Sequence, residues 1–358
     1  MEKIRILSIN PGSTSTKIAV YEDSKAIFIK NIQHSTKELS GFNKATEQFK
    51  FRKEIILKEL KFANIELDNI KAVVGRGGVI KPIESGVYEV NELLIHDLLN
   101  SEYSHHASNL GGLIANDIAI SIPNARAFIA DPVVVDEFEP MARITGHKYF
   151  ERKSIFHALN QKAVGRTYAS SIIKKYKDLN LIIAHLGGGI SIGAHKKGKV
   201  IDVNQGLDGD GPFSPERSGT LPVGDLVKLC YSGKYTQKEV YKMIVGEGGM
   251  VSYFGTNNAV EIEVKAMNGD KEAVFIFNAM AYQIAKTIGE MYTVLKCEAD
   301  AILITGGLAH NKFLINQIIE RVFKLAPVHI FPGEDEMKSL GNNGLMVIKG
   351  EIQPKVYK

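Results

Sequence analysis

The sequence predicts an α/β protein built from two related domains, each with a mixed β-sheet. β-rich runs and helical periodicities alternate along the 358 residues, a length that suits about two domains. Two strand–turn–strand segments, 5–21 and 181–195, lie far apart, and each is followed by a third strand. This repetition indicates a duplicated fold. Hydrophobic residues make up 44% of the chain, which allows a large core and argues against wholesale disorder.

Composition excludes several classes of protein. The net charge is +4 without a polybasic arm, and the lysine-rich run 196–199 is expected to be a solvated hairpin tip, so we expect no nucleic-acid partner. The two cysteines, Cys230 and Cys297, form no metal or redox motif and suit a reducing compartment. No run reaches the roughly 18 apolar residues of a membrane span, and no apolar signal core opens the chain. We therefore expect a cytoplasmic protein that does not bind membranes.

The first half of the chain predicts strands and helices in alternation. Apolar residues recur at helical spacing over 42–63, which predicts an amphipathic helix covering the sheet. A short buried strand at 72–74 runs into a turn that displays Arg76 among glycines. The remaining predicted elements are a third strand at 25–32, a strand end passing into a helix over 88–100, a helix ending near 120, and a strand at 127–130 that Asp131 and Pro132 terminate.

A second domain is predicted to begin near residue 154. His157 stands just before a helix expected to run to about 176, and a long helix is predicted over 272–297. The segment 206–222, which contains Arg217, is rich in Gly, Pro, Ser and Asp and lacks periodicity, as functional or disordered loops do. Further strands are expected at 200–203, 301–304 and 328–331. We expect domains 1–153 and 154–337, with a C-terminal helix at about 338–358 packing on the first.

The turn of the first hairpin contains more polar and charged side chains than a turn requires. Gly12 allows close backbone approach, Ser13 and Ser15 offer hydroxyl groups, and Lys17 offers a positive charge. This set suits a polyanion such as a nucleotide phosphate, although the segment alone also fits a hydrophilic hairpin tip. The glycines that follow the strand at 301–304 open the next helix, a favourable place for a nucleotide.

Three segments together resemble the acetokinase family, the acetate and butyrate kinases of the actin-like ATPase superfold. They are 10–17 (NPGSTSTK), 185–189 (HLGGG) and 305–307 (TGG), in the order that the family shows. The likeness covers nearly the whole chain. Pro11 and the triple glycine at 187–189 resemble the butyrate and branched-chain fatty-acid kinase branch. The resemblance implies two ribonuclease-H-like domains with mixed sheets flanking a nucleotide cleft, ATP and ADP with Mg²⁺, and a homo-oligomer, a dimer or larger.

The resemblance also implies roles for individual residues. It assigns catalysis to Arg76, Asp131, His157 and Arg217, and carboxylate binding to Arg76, His106 and Arg217. It assigns the nucleotide to residues of the glycine-containing turns: Asn10, Gly12, Ser13, Ser15, Lys17, His185, Gly187, Gly188, Gly189, Gly306 and Gly307. Metal-shell residues would be Asp131, Asp335 and Glu336, although the acid cannot be aligned uniquely within 334–336. The adenine contacts cannot be carried over either, because 255–258 reads Gly-Thr-Asn-Asn.

The implied reaction is reversible phosphoryl transfer between ATP and a short-chain or branched carboxylate, butyrate or isobutyrate, giving acyl phosphate and ADP. These residues also have purely structural interpretations. Arg76 could be a surface arginine, Arg217 an ion-pair partner of Glu216 or Asp210, and Asp131 a turn residue. His157 could simply start a helix, and His106 could bond to a core carbonyl. Two other functions stay open, a sugar or polyol kinase with Asp131 as base and a nucleotide-gated binding protein. The second would need a further binding domain, for which the sequence shows no signal.

Overall fold

The computed structural model describes residues 3–100 and 106–358. Contacts divide the chain into two compact units. Unit 1 comprises Met1–Val135 with Asp335–Lys358, and unit 2 comprises Asp136–Glu334. The domain bounds expected from the sequence, 1–153 and 154–337, differ from these units over 136–153 and 335–337 and stay a prediction.

Unit 1 is built on a mixed sheet of seven strands among its described residues. The strands are β1 Arg5–Pro11, β2 Ser15–Glu22, β3 Lys25–Gln33, β4 Ile70–Arg76, β5 Val87–Glu89, β6 Arg126–Ala130 and β12 Lys355–Val356. Their order in the sheet is β12-β5-β6-β4-β1-β2-β3. The strands β1, β2 and β3 form an antiparallel meander, whereas β1, β4 and β6 are parallel neighbours.

Helices cover both faces of this sheet. Alternate residues of β1 face opposite sides of the sheet. Leu7 joins the apolar core shared with the helices α2, Phe49–Phe62, and α4, Asn109–Ile120. Ile6 lies against the helix α13, Glu336–Ile348. A Cβ at Gly344 of α13 would lie 2.6 Å from a methyl of Val74, so glycine lets this helix approach the sheet closely. The other α-helices among the described residues of this unit are α1 Thr36–Leu39 and α3 Glu92–Asn100.

Unit 2 contains a five-stranded sheet among its described residues, in the order β11-β10-β7-β8-β9. Its strands are β7 Asn180–Leu186, β8 Ile190–Lys196, β9 Lys199–Val203, β10 Ala301–Gly306 and β11 Val328–Pro332. The long helix α11, Lys271–Val294, packs on one face through Ile284 and Ile288, and α6, Ala158–Ser171, covers the other. The other helices are α5 Pro140–Arg143, α7 Val223–Cys230, α8 Gln237–Ile244, α9 Met250–Phe254, α10 Ala259–Met267 and α12 Lys312–Val322.

The two sheets repeat one topology, as the paired hairpins in the sequence predict. In each, an antiparallel meander comes first, and its first strand then pairs in parallel with a later strand. That later strand pairs in parallel with a further one, β6 in unit 1 and β11 in unit 2. The α/β class with two mixed sheets is therefore confirmed.

Several predicted helices have other bounds. The C-terminal helix expected at about 338–358 is α13, Glu336–Ile348, and Lys355–Val356 form the strand β12 instead. The long helix expected over 272–297 is α11, Lys271–Val294. The helix expected over 42–63 is a short 3₁₀ turn, Ala45–Gln48, followed by α2, Phe49–Phe62. The helix expected to reach 176 ends at Ser171, because Ile173 has a φ of 56° that breaks the helical backbone. Within residues 3–100 and 106–358, no helix combines the length and apolar character needed to span a membrane.

Candidate active site

Three parallel strands bring predicted residues of unit 1 to one edge of its sheet. Asn10 lies near the end of β1, Arg76 ends β4, and Asp131 directly follows β6. These strands are neighbours and run in the same direction, so their carboxyl ends meet at the same edge. Open α/β sheets bind ligands beyond the carboxyl ends of their strands, which makes this edge a candidate site.

Asn10 and Arg76 converge on the carboxylate of Glu336. Asn10 Nδ2 donates to Glu336 Oε2 over 2.6 Å, and Arg76 Nη1 lies 3.1 Å from the same oxygen. The Glu336 side chain is 6% exposed and that of Arg76 is 22% exposed. One buried carboxylate thus neutralises and orients a half-buried guanidinium, which the sequence places among glycines without indicating its partner.

The glycines around Arg76 have a packing role. A Cβ at Gly75 would lie 2.1 Å from the carbonyl oxygen of Gly111 in α4, and one at Gly77 would lie 2.5 Å from the Pro132 side chain. The start of α4 and the 131–132 turn therefore press directly on the backbone that carries Arg76. These glycines hold the arginine rigidly rather than marking a flexible turn.

Asp131 has the backbone strain that is common at functional positions. Its φ is 38°, an unfavourable value for a residue other than glycine, and it precedes a proline. The residue is 2% exposed, and its Oδ1 accepts hydrogen bonds from Ser85 Oγ at 2.6 Å and from the Gly86 N–H at 2.9 Å. Such strain, typically about 1–3 kcal/mol, persists only where surrounding contacts enforce it.

The first hydroxyl-rich turn lies beside Asn10. The Gly12 N–H donates to the Ser15 carbonyl over 2.8 Å and closes the turn between β1 and β2. Ser13 and Lys17 are exposed, Ser15 is half-buried, and Lys17 faces Asn10 across the β1–β2 ladder. The turn therefore displays hydroxyls and a cation at the edge of the sheet.

Arg52 supports this turn from beneath, and the sequence prediction missed it. The side chain is fully buried, and its guanidinium donates to the carbonyl oxygens of Gly12, Ser13 and Ser15. The available signal was an arginine on the apolar stripe of α2, between the buried Ile56 and the partly buried Phe49.

His106 is exposed, and its contacts that the structure describes are local. Its Nδ1 lies 2.6 Å from Ser108 Oγ and 3.2 Å from the Ser108 backbone nitrogen, just before α4 begins. This histidine is therefore held by the start of a helix, and its predicted binding of the substrate carboxylate stays a prediction.

In unit 2 the same topology brings another set of predicted residues to one edge. His185 lies near the end of β7 and Gly306 ends β10, and these strands are parallel. The glycines at 187–189 connect β7 to β8, with the Gly187 N–H donating to the Gly189 carbonyl over 3.1 Å. Gly306 has a φ of 93°, and a Cβ there would lie 2.3 Å from the Leu186 carbonyl oxygen. Gly307 is exposed, with open space around it.

His157 and His185 form a stacked pair. Their ring centroids are 3.8 Å apart and their planes differ by 11°. His157, which directly precedes α6, places Nδ1 2.9 Å from Ser191 Oγ. His185 places Nδ1 2.9 Å from Asn160 Oδ1 and Nε2 3.2 Å from Glu334 Oε1. Nδ1 of His185 is thus hydrogen-bonded, whereas its buried Nε2 lies close to the Glu334 carboxylate without forming a hydrogen bond.

A buried chain of hydrogen bonds reaches His157 through Ser191. Gln161 Nε2 donates to Ser191 Oγ over 3.0 Å, so the serine hydrogen is available for His157 Nδ1. Gln161 Oε1 lies 2.9 Å from Nε2 of His195, whose Nδ1 lies 2.5 Å from Tyr176 Oη. Burial lowers the pKa of His195 well below its usual value, so this ring is neutral and accepts at Nδ1. When the Ser191 hydroxyl donates to Nδ1, the ring of His157 carries its proton on Nε2.

The side chain of Arg217 packs against the glycine turn at 187–189. Its Nη1 donates to the Gly206 carbonyl and packs directly over Gly189, where no side chain would fit. The segment 206–222 is ordered around it: Ser214 Oγ donates to the Gly188 carbonyl, and the Ser214 N–H donates to the Arg217 carbonyl over 3.0 Å. Burial lowers the pKa of the Arg217 guanidinium.

The acids at 334–336 occupy three different environments. Glu334 lies beside His185, exposed Asp335 is 3.6 Å from Lys338 Nζ, and buried Glu336 holds Asn10 and Arg76. Among residues 3–100 and 106–358, no three His, Cys, Asp or Glu side chains are grouped closely enough to hold a metal ion. Within the segment 255–258, Asn257 donates to the Glu216 carboxylate over 3.0 Å.

Comparison with known proteins decides the family. The family model described as "Acetokinase family" matches residues 140–354. The chain belongs to the acetokinase family. Two proteins from Clostridium acetobutylicum, named Butyrate kinase 2 and Butyrate kinase 1, are each 54% identical to this acetokinase. The first alignment covers 99% of this chain and 100% of the relative, and the second covers 99% of each.

Solved structures show that this chain has the fold of acetate and propionate kinases. The acetate kinase of Porphyromonas gingivalis superposes with a TM-score of 0.81 at 18% identity, covering 96% of this chain and 100% of that one. A propionate kinase from Francisella tularensis gives a TM-score of 0.76 at 18% identity, covering 95% and 98%. The predicted fold class and family are both confirmed.

Proposed function

We propose that this acetokinase transfers the γ-phosphoryl group of ATP to the carboxylate of a short-chain fatty acid, reversibly, giving ADP and an acyl phosphate. Butyrate is the first choice of acceptor, isobutyrate the second, and acetate or propionate the third. The observation that carries this proposal is the 54% identity to two proteins named butyrate kinases over essentially the full length of each chain.

The proposed step forms one bond and breaks one. A carboxylate oxygen attacks the γ-phosphorus, and the bond from that phosphorus to the β,γ-bridging oxygen breaks as ADP leaves. A carboxylate is already ionised at neutral pH, so no general base is required. Catalysis then rests on positioning and on neutralising the charge of the phosphoryl group.

We assign the neutralisation to Arg76 and Arg217, with His157 as a third donor. Arg76 is held at one edge by Glu336, which fixes the direction of its planar fork. The Ser191 contact orients the His157 ring with its proton on Nε2, which suits donation to an equatorial phosphoryl oxygen. Exposed His106 is assigned to the carboxylate of the acceptor.

We assign the nucleotide phosphates to the two glycine-containing turns. In unit 1 these contacts come from Asn10, the 12–15 turn and Lys17, at the sheet edge described above. In unit 2 they come from His185 and the glycines at 187–189, and the open backbone at Gly306 and Gly307 is assigned to the adenosine.

Mg²⁺ fits these residues as a water-mediated site. Oδ1 of Asp131 already accepts from Ser85 and Gly86, and Oε2 of Glu336 is held by Asn10 and Arg76. Mg²⁺ commonly keeps several waters and takes one or two carboxylates with substrate phosphates, so we assign the ion to Asp131, Asp335 and Glu336 acting through water. When bound, the ion would neutralise charge on the nucleotide phosphates.

The proposal extends to a cytoplasmic homo-oligomer, a dimer or larger. Helix α7 supports an association surface, because every residue of this fully described helix is at least partly exposed. Val223 and Val227 of α7 and its C-cap residue Tyr231 lie four residues apart on one face, at 72%, 49% and 88% exposure. Light scattering coupled to size-exclusion chromatography measures the mass, and a monomer at micromolar concentration contradicts this part.

A panel of acceptors tests the function. ADP release is measured with ATP and Mg²⁺ plus acetate, propionate, butyrate, isobutyrate, valerate or a set of sugars. We expect turnover with several acids, since each methylene changes discrimination by only about 1–3 kcal/mol, with butyrate giving the highest kcat/KM. Turnover with sugars and not with acids would contradict the proposal.

A further inference from the structure

Arg52 is a buried cation without a carboxylate partner in the described structure. Its side chain is fully buried, and among residues 3–100 and 106–358 it makes no ion pair. Burying an uncompensated charge is costly, and such a charge needs hydrogen bonds to most of its donors. The hydrogen-bond partners of Arg52 therefore account for the burial of its charge.

Those partners belong mainly to the first turn. Arg52 Nη1 donates to the Gly12 and Ser15 carbonyls, each at 2.8 Å, and to Thr16 Oγ1 at 3.0 Å. Nη2 donates to the Ser13 carbonyl at 3.0 Å. Gln48, one helical turn earlier, accepts from Nε at 2.9 Å and from Nη2 at 2.7 Å, which clamps the guanidinium in place.

The direction of these carbonyl groups sets the direction of the amides that follow them. In a trans peptide the carbonyl of one residue and the N–H of the next point to opposite sides. Because the Gly12 and Ser13 carbonyls point at Arg52, the Ser13 and Thr14 N–H groups point away from it. Ser13 and Thr14 are exposed, so these amides face the side on which a ligand would arrive.

We propose that Arg52 is a positioning residue for ATP: it turns the 12–16 backbone so that its amides face the phosphates, and its buried charge favours a polyanion there. This inference rests on the proposed function. Burial lowers the pKa of Arg52 to about 10, so the group stays protonated at neutral pH. The neighbouring Thr16 hydroxyl accepts from Arg52 and lies 2.8 Å from His34 Nε2, which extends the rigid base of the turn.

The test compares Arg52→Lys with Lys53→Met. Lysine keeps the charge but cannot reach three carbonyl groups with one fork, whereas Lys53, the next residue of α2, pairs with Asp117 away from the turn. The dissociation constant for ATP with Mg²⁺ is measured by calorimetry, and KM for ATP and kcat by ADP release. We expect Arg52→Lys to raise the dissociation constant and the KM for ATP about tenfold or more. This is the effect of losing one or two charge-assisted hydrogen bonds. kcat at saturating ATP should change less, and Lys53→Met should match the unmodified protein.

Two further measurements keep the outcome decisive. Ethylguanidine added to Arg52→Ala should restore part of the ATP affinity, which a general loss of folding would not allow. If the Arg52 variants do not fold, Gln48→Leu loosens the clamp without touching the turn and should still weaken ATP binding severalfold. Unchanged ATP affinity in a folded Arg52→Lys, or in Gln48→Leu where Arg52 variants fail to fold, overturns the inference. ATP binding is read by calorimetry without an acid, so this result is separable from a failure of carboxylate turnover.

Discussion

The imidazole rings of His157 and His185 are stacked, with centroids 3.8 Å apart. Glu334 Oε1 lies beside Nε2 of His185, whereas His157 faces the Ser191 hydroxyl. The Ser191 hydroxyl thus orients the His157 ring with Nδ1 toward it, which leaves Nε2 as the nitrogen proposed to donate.

Replacing His157 should therefore affect turnover more than ATP binding. We expect His157→Gln to lower kcat about 10²–10³-fold, the usual loss for one donor to a transition-state oxyanion. KM for ATP should stay within about threefold, because the donor is proposed to act mainly as the phosphoryl group transfers. Steady-state ADP release against ATP and butyrate gives both constants.

Ser191→Ala serves as the matched control for His157. It keeps the imidazole but removes the hydroxyl that contacts Nδ1, so the loss should be smaller and the pH profile of kcat should shift. Equal losses and unchanged pH profiles in the two variants would contradict the role of Ser191 in orienting the ring.

Arg217→Ala should abolish acyl phosphate formation and leave ATP binding largely intact. By analogy with other arginines that stabilise phosphoryl transfer, the loss in kcat is about 10³-fold or more. Trapping with hydroxylamine measures acyl phosphate, and calorimetry measures ATP binding. Exposed Arg321 on α12 provides the control, since Arg321→Ala should retain full turnover. Undiminished hydroxamate formation in Arg217→Ala defeats the assignment.

Glu336→Gln tests the carboxylate that holds Arg76. Glutamine keeps the size of the side chain but removes the charge 3.1 Å from Nη1, which loosens the arginine. The pair is partly exposed on the arginine side, so we expect a stability loss of about 1–2 kcal/mol by urea unfolding. KM for butyrate should rise about tenfold.

The control for that variant is Glu351→Gln, an exposed residue beyond the end of α13. It makes the same chemical change away from Arg76 and should leave both the urea midpoint and KM unchanged. A normal KM for butyrate in Glu336→Gln would remove Glu336 from the account of carboxylate binding.

Buried histidines predict how stability depends on pH. Burial lowers the pKa of His195 well below its usual value, and burial together with nearby Arg52 lowers the pKa of His34. Below the unfolded pKa of about 6.5, the unfolded chain binds protons that the folded rings do not, so stability falls as pH falls. Each histidine contributes a slope of up to about 1.4 kcal/mol per pH unit between that pH and its folded pKa.

Urea unfolding at a series of pH values between 7 and 5 measures this slope. We expect His195→Gln to flatten it, although the variant is less stable at pH 7 because it disturbs Gln161 and Tyr176. Exposed His147→Gln should reproduce the slope of the unmodified protein. A slope that His195→Gln leaves unchanged contradicts the neutral state assigned to that ring.

Much of this architecture was predictable because its strands are buried and regular. The hairpins at 5–21 and 181–195 and the late strand at 301–304 predict two mixed sheets. The sequence also places Arg76 and Asp131 where predicted strands end, and these strands are parallel neighbours, whereas the roles of both residues came from the family resemblance. Local pattern thus fixes which residues reach each edge of a sheet.

Contacts that depend on tertiary packing were not predictable. Arg52 reads as one more charge of an amphipathic helix until α2 lies beneath the first turn. The acids at 334–336 look equivalent in sequence, yet the chain turns into α13 there and sends Glu334 and Glu336 to different partners. Ser191 and Gln161 look like ordinary polar residues of a strand and a helix, and their link to His157 appears only in three dimensions.

Acyl phosphate trapping tests the central claim most directly. The purified protein is incubated with ATP, Mg²⁺, butyrate and hydroxylamine, and butyryl hydroxamate and ADP are quantified in the same samples. We predict one hydroxamate for each ADP, with neither product formed above background when butyrate is left out. ADP formation that does not require butyrate, or that yields no hydroxamate, would contradict carboxylate phosphorylation by this acetokinase.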